Sequence, residues 1–142
     1  MFEPCHLVEC GTLFADAFRA EPWNQRWTKV AARQFLRSIA NAPGFLGVVM
    51  LNTDNQVIAF AMGDLMRLPD GVTFELEELC VTPNMQGIGY GTQLWMNLEK
   101  ELRKLGVTNV VLDTLKDSLP ERFYLRNGFR RSNRLMHMNK QI

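Results

Sequence analysis

The chain has 142 residues, the size of one ordinary domain, and its 46% hydrophobic and 22% charged residues are typical of a soluble globular protein. A formal net charge of +1 without a basic stripe argues against nucleic-acid binding. Cys5, Cys10 and Cys80 are irregularly spaced, so neither a disulfide framework nor, with two histidines, a metal site is predicted. No apolar run approaches the ~18 residues of a membrane span and no signal peptide is evident, so we expect one cytoplasmic domain over residues 1–142.

Two helices are predicted first. Apolar residues recur at helical spacing from Leu7 to Phe18, and Pro22 breaks the pattern. Thr28 is placed to cap a second helix, which ends before Gly44.

Three strands are predicted next. Residues 46–51 and 57–62 have the character of a β-hairpin around the turn-forming residues 52–56. Residues 74–81 alternate as a third strand, and Pro83 stops it.

The C-terminal part predicts a crossover and a closing strand. The pattern is helical over residues 89–105, where Gly106 follows the end, and extended over 107–112. A capping box at Ser118 begins another helix, and residues 129–138 suggest a final strand or hairpin.

This order of elements implies an α/β fold with a mixed central sheet flanked by about four helices. Only six residues precede the first helical pattern, so the first strand is expected to be short or absent.

The segment 81–91 joins the third strand to the third helix through a glycine-rich turn. Glycines let the backbone approach a ligand closely, and the free N–H groups at a helix start bind anions, so a diphosphate is the natural guest. The spacing departs from the dinucleotide fingerprint, and the Gly-Lys-Ser/Thr ending of the triphosphate loop is missing. On this segment alone, a glycine-rich turn without a ligand stays open as the alternative.

Two motifs resemble a known family, the GNAT family of N-acetyltransferases. The family's Val-x-Pro and Gln/Arg-x-x-Gly-x-Gly/Ala signature is similar to Val81-Thr82-Pro83 and Gln86-Gly87-Ile88-Gly89-Tyr90-Gly91. Its Phe/Leu-Tyr-x-x-x-Gly-Phe signature is similar to the segment from Phe123 to Phe129. The resemblance is clearest from Glu75 to Phe129, and the predicted elements follow the family's order.

The resemblance implies acetyl-coenzyme A as cosubstrate. In the family the strand before the motif splays from its neighbour at a bulge, and its backbone holds the pantetheine arm and the acetyl carbonyl; the corresponding residues are Leu79, Cys80 and Val81. The pyrophosphate would be held by amides of Gln86, Gly87, Ile88, Gly89, Tyr90, Gly91 and Thr92. A family asparagine that often contacts the cofactor is Asp117 here, and a carboxylate can accept but not donate.

The resemblance also implies direct attack by a neutral amine, without an acyl-enzyme. Tyr124 stands where the family's general acid lies, with plain packing of its ring as the alternative. Glu75 and Glu77 fall where several members carry the carboxylate that deprotonates the amine, with a solvated surface as the alternative. In a regular strand Glu78 lies on the other face, although a bulge could change this. Asp113 is a reserve candidate.

Three further residues carry weaker predictions. Cys80 lacks an evident histidine partner, which favours a buried structural thiol over a nucleophile. Trp23 and Trp27 would either line the acceptor pocket, as that connection does in the family, or pack in the core.

The expected function is acetyl transfer to the primary amine of a small molecule such as an aminoglycoside or a polyamine. A protein N-terminus or a lysine is the alternative acceptor, and a non-catalytic coenzyme A-binding module is the alternative class. Neither nucleic acid nor a membrane is expected as a partner. The resemblance implies a homodimer as one assembly, because the family commonly forms homodimers, but the sequence shows no interface signature.

Overall fold

Two helices open the chain where the sequence predicts them. Helix α1 (Leu7–Arg19) and helix α2 (Lys29–Ala40) each bury an apolar stripe. Thr28 caps α2, because its Oγ1 accepts a hydrogen bond from the backbone N–H of Ala31 at 3.0 Å. No strand precedes α1, although the N–H of Phe2 donates to a single carbonyl of the sheet, that of Gly47, at 2.9 Å.

The four strands form one mixed sheet in the order β1-β2-β3-β4. The predicted hairpin is confirmed as β1 (Phe45–Leu51) and β2 (Val57–Leu68), which pair antiparallel. Strand β3 (Gly71–Val81) continues the antiparallel meander. Helix α3 (Tyr90–Lys104) then crosses over, so that β4 (Val107–Val111) pairs parallel to β3.

The sheet buries both faces. Phe60, Met62 and Cys80 form one cluster with the apolar sides of α1 and α2. The residues that alternate with them, such as Ala61, point to the opposite face, where α3 contacts the sheet. On α3 the buried residues are Leu94, Trp95, Leu98 and Leu102. Leu105, the last residue of the predicted helical pattern, lies just past the end of α3 and is exposed.

A β-bulge interrupts the pairing of β2 with β3. Met62 lies opposite Glu78, but the next residue, Gly63, lies opposite Leu76, so Glu77 is the extra residue of the bulge. Directly opposite residues share a face, and Met62 and Gly63 point to opposite faces. Glu78 therefore points to the α1 and α2 side of the sheet.

Gly63 permits this bulge. A Cβ at Gly63 would overlap the backbone carbonyl oxygen of Glu75. We expect Gly63→Ala to cost about 2–4 kcal/mol in the free energy of unfolding, because backbone must move to accept the methyl group. Chemical denaturation of wild type, Gly63→Ala and Gly106→Ala measures it. Gly106 has a φ of 75° and open space around it, so its variant should lose only about 1 kcal/mol. Equal losses would contradict the overlap.

The structure is a computed structural model that describes residues 1–142. The chain folds into two compact units, residues 1–112 and 113–142, so one domain over 1–142 stays a prediction. The second unit contains helix α4 (Leu119–Arg126). No helix of either unit combines the length and the apolar content that a membrane span requires.

The predicted final strand is wrong. Residues 129–138 form neither helix nor strand, and residues 130–142 are exposed. The alternation there is weak, and it is interrupted by the charged side chains of Arg130, Arg131 and Arg134. A strand forms only where its backbone pairs with a neighbour, and such a pattern does not fix a register.

Candidate active site

The glycine-rich turn has the geometry of an anion-binding loop. Strand β3 ends at Val81, a short 3-10 turn covers Pro83–Met85, and α3 begins at Tyr90. Gly87 (φ 77°) and Gly89 (φ 98°) adopt the left-handed conformation that other residues rarely take, and a Cβ on either would meet nothing within 4 Å. The backbone is therefore open to a ligand at both glycines.

Six successive backbone N–H groups, those of residues 87–92, donate to no acceptor in the structure. The first intrahelical bond of α3 is made by the N–H of Gln93, which donates to Gly89 O at 3.1 Å. Such a run of free donors, together with the positive end of the dipole of a 15-residue helix, attracts a polyanion. The side chain of Gln86 braces the turn, since its Nε2 donates to Val81 O at 3.0 Å.

The end of β3 offers a second stretch of backbone without a strand partner on its β4 side, although Val81 O there accepts from Gln86 Nε2. Strand β4 pairs with β3 only as far as Glu75, which lies opposite Val111. Beyond that point no strand covers the β4 side of residues 76–81, which include Leu79, Cys80 and Val81. The resemblance leads us to expect a splayed edge over these residues, and the structure shows that the pairing of β4 with β3 ends before them. The open loop and the open edge together fit a long ligand with a diphosphate at one end.

Four carboxyl groups, which we call the acidic face, meet on the α1 and α2 side of the sheet. They are Asp64, Glu75, Glu77 and Glu78. Asp64 lies opposite Glu75 across the β2–β3 pair, and the bulge turns Glu78 to the same side. None of the ion pairs in the structure involves these four residues. Asp64 Oδ1 is buried without a hydrogen-bond partner.

The pKa values of two of these groups are raised. Burial raises the pKa of Glu78 to about 8, with a smaller contribution from the charge of Glu77. For Glu77, which is exposed, partial desolvation raises the pKa first, followed by the charges of Glu75 and Asp64. Because burial and nearby like charges disfavour the ionised forms, Glu77 and Glu78 bind their protons more tightly than isolated carboxylates do.

Cys80 has the burial and the raised pKa of a structural thiol. It is 3% exposed, and burial, then Glu78, then Cys10, raise its pKa well above the ordinary value. Burial also raises the pKa of Cys10 to about 12. Neither thiol is a ready nucleophile, because the thiolate is the reactive form.

In the second unit, Tyr124 lies on α4 in an aromatic group. Its ring is edge-on to Phe123 at 5.2 Å and to Phe129 at 5.4 Å between centroids. Its backbone carbonyl accepts from the N–H of Phe129 at 3.0 Å, just past Gly128, which has a φ of 89°. The motif residues that follow Tyr124 thus end the helix and fix the tyrosine ring.

The capping box at the start of α4 is only half formed. Ser118 Oγ accepts from the N–H of Glu121 at 3.3 Å, as predicted. The carboxylate of Glu121 instead accepts from the N–H of Asp117 at 3.0 Å and from Arg131 Nε at 2.7 Å. Asp117 also accepts from Arg131 Nη2 at 2.9 Å, so the structure occupies its carboxylate in an ion pair, and its cofactor contact stays a prediction.

The cluster of Glu121, Asp117 and Arg131 should make a pH-dependent contribution to the stability of the fold. The hydrogen bonds from Arg131 and then from the Asp117 N–H lower the pKa of Glu121 to about 2. Since the folded pKa lies below the ordinary 4.5, the stabilisation is present above pH 4.5 and is lost as the pH falls towards 2. Arg131→Gln should raise the pKa of Glu121 towards 4.5, measured by NMR titration of its carboxyl carbon. Arg130→Gln, an exposed neighbour, should leave it unchanged; identical titrations in both variants would contradict the pairing.

The two tryptophans and the reserve candidate Asp113 also have defined environments. Trp27 packs edge-on against Phe14 at 5.0 Å, and Trp23 lies against Phe18 at 5.0 Å, which favours core packing over a pocket lining. Asp113, in the second unit, is exposed and lies 3.7 Å from His137 Nδ1.

Some of the site has no signal in the sequence. Asp64 comes from a strand that is otherwise largely apolar, and only the register of β2 against β3 brings it to Glu75. The face of Glu78 depends on the bulge. Within the first unit the structure brings Glu75 and Glu77 together as predicted, and within the second it places Tyr124 and Asp117 in one segment around α4.

Comparison with known sequences shows the family. The sequence profile of the acetyltransferase (GNAT) family matches residues 7–129. Over 64 residues the chain is 38% identical to the glucosamine 6-phosphate N-acetyltransferase of Trypanosoma brucei brucei. That match covers 45% of this chain and 42% of the length of that relative.

Comparison with solved structures shows the same fold. An acetyltransferase of Trypanosoma brucei superposes with a TM-score of 0.69 at 22% identity, covering 98% of this chain and 96% of that one. An aminoglycoside N-acetyltransferase in complex with CoA superposes with a TM-score of 0.74 at 18% identity, covering 99% and 92%. The chain belongs to the GNAT acetyltransferase family, whose members use acetyl-CoA as cosubstrate.

Proposed function

We propose that this protein transfers the acetyl group of acetyl-CoA to the primary amine of a small cationic acceptor, an aminoglycoside or a polyamine. The observation that carries the proposal is the run of six free N–H groups over residues 87–92 at the start of α3. A diphosphate accepts several such bonds at once, and coenzyme A carries one.

The residues present fit this cosubstrate. Amides from Gly87 to Thr92 would hold the pyrophosphate, whereas the predicted contact from the Gln86 amide is less available because that N–H donates to Pro83 O at 3.4 Å. The open edge at Leu79, Cys80 and Val81 would hold the pantetheine arm. When bound, acetyl-CoA supplies an acetyl thioester as the group donor. Asp117 is proposed as a further contact.

The chain's own residues would handle two protons. An amine must lose its proton before it has a lone pair to attack with, and a carboxylate of the acidic face would accept that proton, with Glu75 and Glu77 as the bases predicted from the sequence. Tyr124 would hold, on Oη, the proton that the leaving thiolate needs.

The acidic face supports a cationic acceptor. Four carboxyl groups without an ion-paired lysine or arginine attract ammonium groups and repel phosphate. Two relatives bear names of enzymes that act on amino sugars, a glucosamine 6-phosphate N-acetyltransferase and an aminoglycoside N-acetyltransferase. The electrostatics favour the unphosphorylated, multiply charged type of acceptor.

An acceptor panel tests the proposal. Release of free coenzyme A thiol is followed with acetyl-CoA and an aminoglycoside, spermidine, glucosamine, glucosamine 6-phosphate, a peptide with a free N-terminus and a lysine peptide. Turnover is expected with the aminoglycoside or spermidine. A preference for glucosamine 6-phosphate or a peptide would replace the acceptor. Saturable acetyl-CoA binding without turnover of any amine would overturn the activity in favour of a coenzyme A-binding module.

Two proposals concern the setting of the enzyme. All three cysteines are free thiols, which is in keeping with a reducing compartment, and we propose a cytoplasmic location. A homodimer is proposed because members of the family commonly form homodimers, and sedimentation velocity would measure the oligomeric state.

A further inference from the structure

We infer that Glu78, turned onto the acidic face by the bulge, takes the proton from the acceptor amine, and that Glu77 acts through it as a positioning residue. This inference rests on the proposed acetyl transfer and names the base within it. The lone pair of the neutral amine forms the new C–N bond, and the C–S bond of the thioester breaks with its electron pair on sulfur, so that coenzyme A leaves as a thiolate. One proton from nitrogen ends on a carboxylate oxygen of Glu78, and the thiolate takes up the proton proposed above for it.

The bulge is the first support. Without it, Glu78 would point away from Glu75 and Glu77, towards the α3 side of the sheet. With Glu77 as the extra residue, Glu78 lies opposite Met62 on the same side as its two neighbours. The irregular β2–β3 pairing therefore sets the direction of the Glu78 carboxyl group, and Gly63 permits the close backbone approach that this pairing requires.

Burial distinguishes Glu78 from its neighbours. Glu75 and Glu77 are exposed, whereas the side chain of Glu78 is partly buried and makes no hydrogen bond or ion pair. A base works best when its pKa lies near the working pH, because it must be both deprotonated and basic enough to take a proton. The pKa of Glu78, about 8, meets that condition.

No cation lowers the pKa of Glu78, whose two causes of shift, burial and then the charge of Glu77, both raise it. Met62 and Asp64 of β2 and Glu75, Glu77 and Cys80 of β3 share its side of the sheet. Of the two helices on this side, α1 brings Cys10 close to Cys80, and α2 carries the charged residues Lys29, Arg33 and Arg37. Strand β4 contributes no charged residue, and α3 packs on the opposite face. The charge of Glu77 is the second cause of the raised pKa after burial, so removing that charge should lower the pKa of Glu78.

The test is the pH profile of kcat/KM with an acceptor amine that stays neutral across the assayed pH range. Any rising limb of that profile then reports the ionisation of an enzyme group and not that of the amine. In wild type kcat/KM should rise with pH through about 8, as Glu78 loses its proton. Glu78→Gln should lower kcat/KM by about 10²–10⁴-fold and remove the limb. Glu77→Gln should keep the limb and move it to lower pH, and Glu75→Gln should move it least.

The inference would be overturned, and the proposed function left intact, if Glu78→Gln kept the wild-type kcat/KM and its rise with pH while Glu75→Gln or Glu77→Gln lost both. Absence of turnover in wild type on the whole amine panel would instead overturn the proposed function, and the inference with it. If Glu78→Gln does not fold, the shift of the limb in Glu77→Gln decides, since a merely structural Glu77 would leave the limb in place.

Stability supplies a readout without activity. The folded pKa of Glu78 lies above its ordinary 4.5, so ionising it opposes folding, and the stability contributed below pH 4.5 is lost as the pH rises through about 8. The urea midpoint of wild type should therefore fall between pH 5 and 9 relative to that of Glu78→Gln. Parallel midpoints for the two proteins across this range would contradict the raised proton affinity on which the inference depends.

Discussion

Aspartate in place of Gly89 is expected to raise the KM for acetyl-CoA at least about a hundredfold, which corresponds to about 2.7 kcal/mol of lost binding. The side chain would enter the open space beside the six free N–H groups, where it would put a negative charge next to a diphosphate. The φ of 98° at Gly89 adds about 1–2 kcal/mol of backbone strain in the loop. Steady-state kinetics at saturating acceptor measures the KM for acetyl-CoA, and calorimetric titration measures the binding free energy of coenzyme A.

Gly106→Asp is the matched control for this variant. Gly106 also has a positive φ, 75°, and open space around it, but it lies past the opposite end of α3 from the loop. The control should lose comparable stability and keep the KM for acetyl-CoA within about twofold. If both variants weakened acetyl-CoA binding alike, the loop would have no special part in holding the diphosphate.

Tyr124→Phe is expected to lower kcat by about 10²–10⁴-fold while the KM for acetyl-CoA changes little. The substitution removes the hydroxyl group that would supply the proton and retains the ring that packs edge-on against Phe123 and Phe129. Thermal stability should stay near that of wild type. Stopped-flow measurement of thiol release separates the chemical step from product release.

Tyr124→Leu separates the two roles of the tyrosine. It removes the aromatic contacts as well, so it should lose stability as well as kcat. A Tyr124→Phe enzyme with wild-type kcat would show that the ring packs and the hydroxyl group takes no part in the chemistry.

The sequence predicted the parts of the fold that depend on local chemistry. Thr28 and Ser118 begin helices through side-chain hydrogen bonds to nearby N–H groups, and Gly106 and Gly128 end helices with positive φ values. These preferences act within one turn of the chain, so the local sequence reports them. The glycine-rich turn belongs to the same class, because free N–H groups follow from a helix start without a capping side chain.

The parts that were missed depend on pairing between distant residues. The side to which Glu78 points is set by a register shift against Met62 and Gly63, and Asp64 reaches Glu75 by the same register. Nothing in the local pattern of β3 marks Glu77 as the extra residue. Similarly, Glu121 fits a capping box by its position in the sequence, but its carboxylate binds Arg131, ten residues away.

The central claim is that residues 87–92 hold the diphosphate of coenzyme A, and a titration followed by amide NMR tests it most directly. Coenzyme A is added to ¹⁵N-labelled protein, and the backbone amide shifts are followed to saturation. The predicted result is that the largest shifts fall on the amides of Gly87 to Thr92, with smaller ones at Leu79 to Val81. Saturable binding with these amides unmoved, or no binding at all, would contradict it.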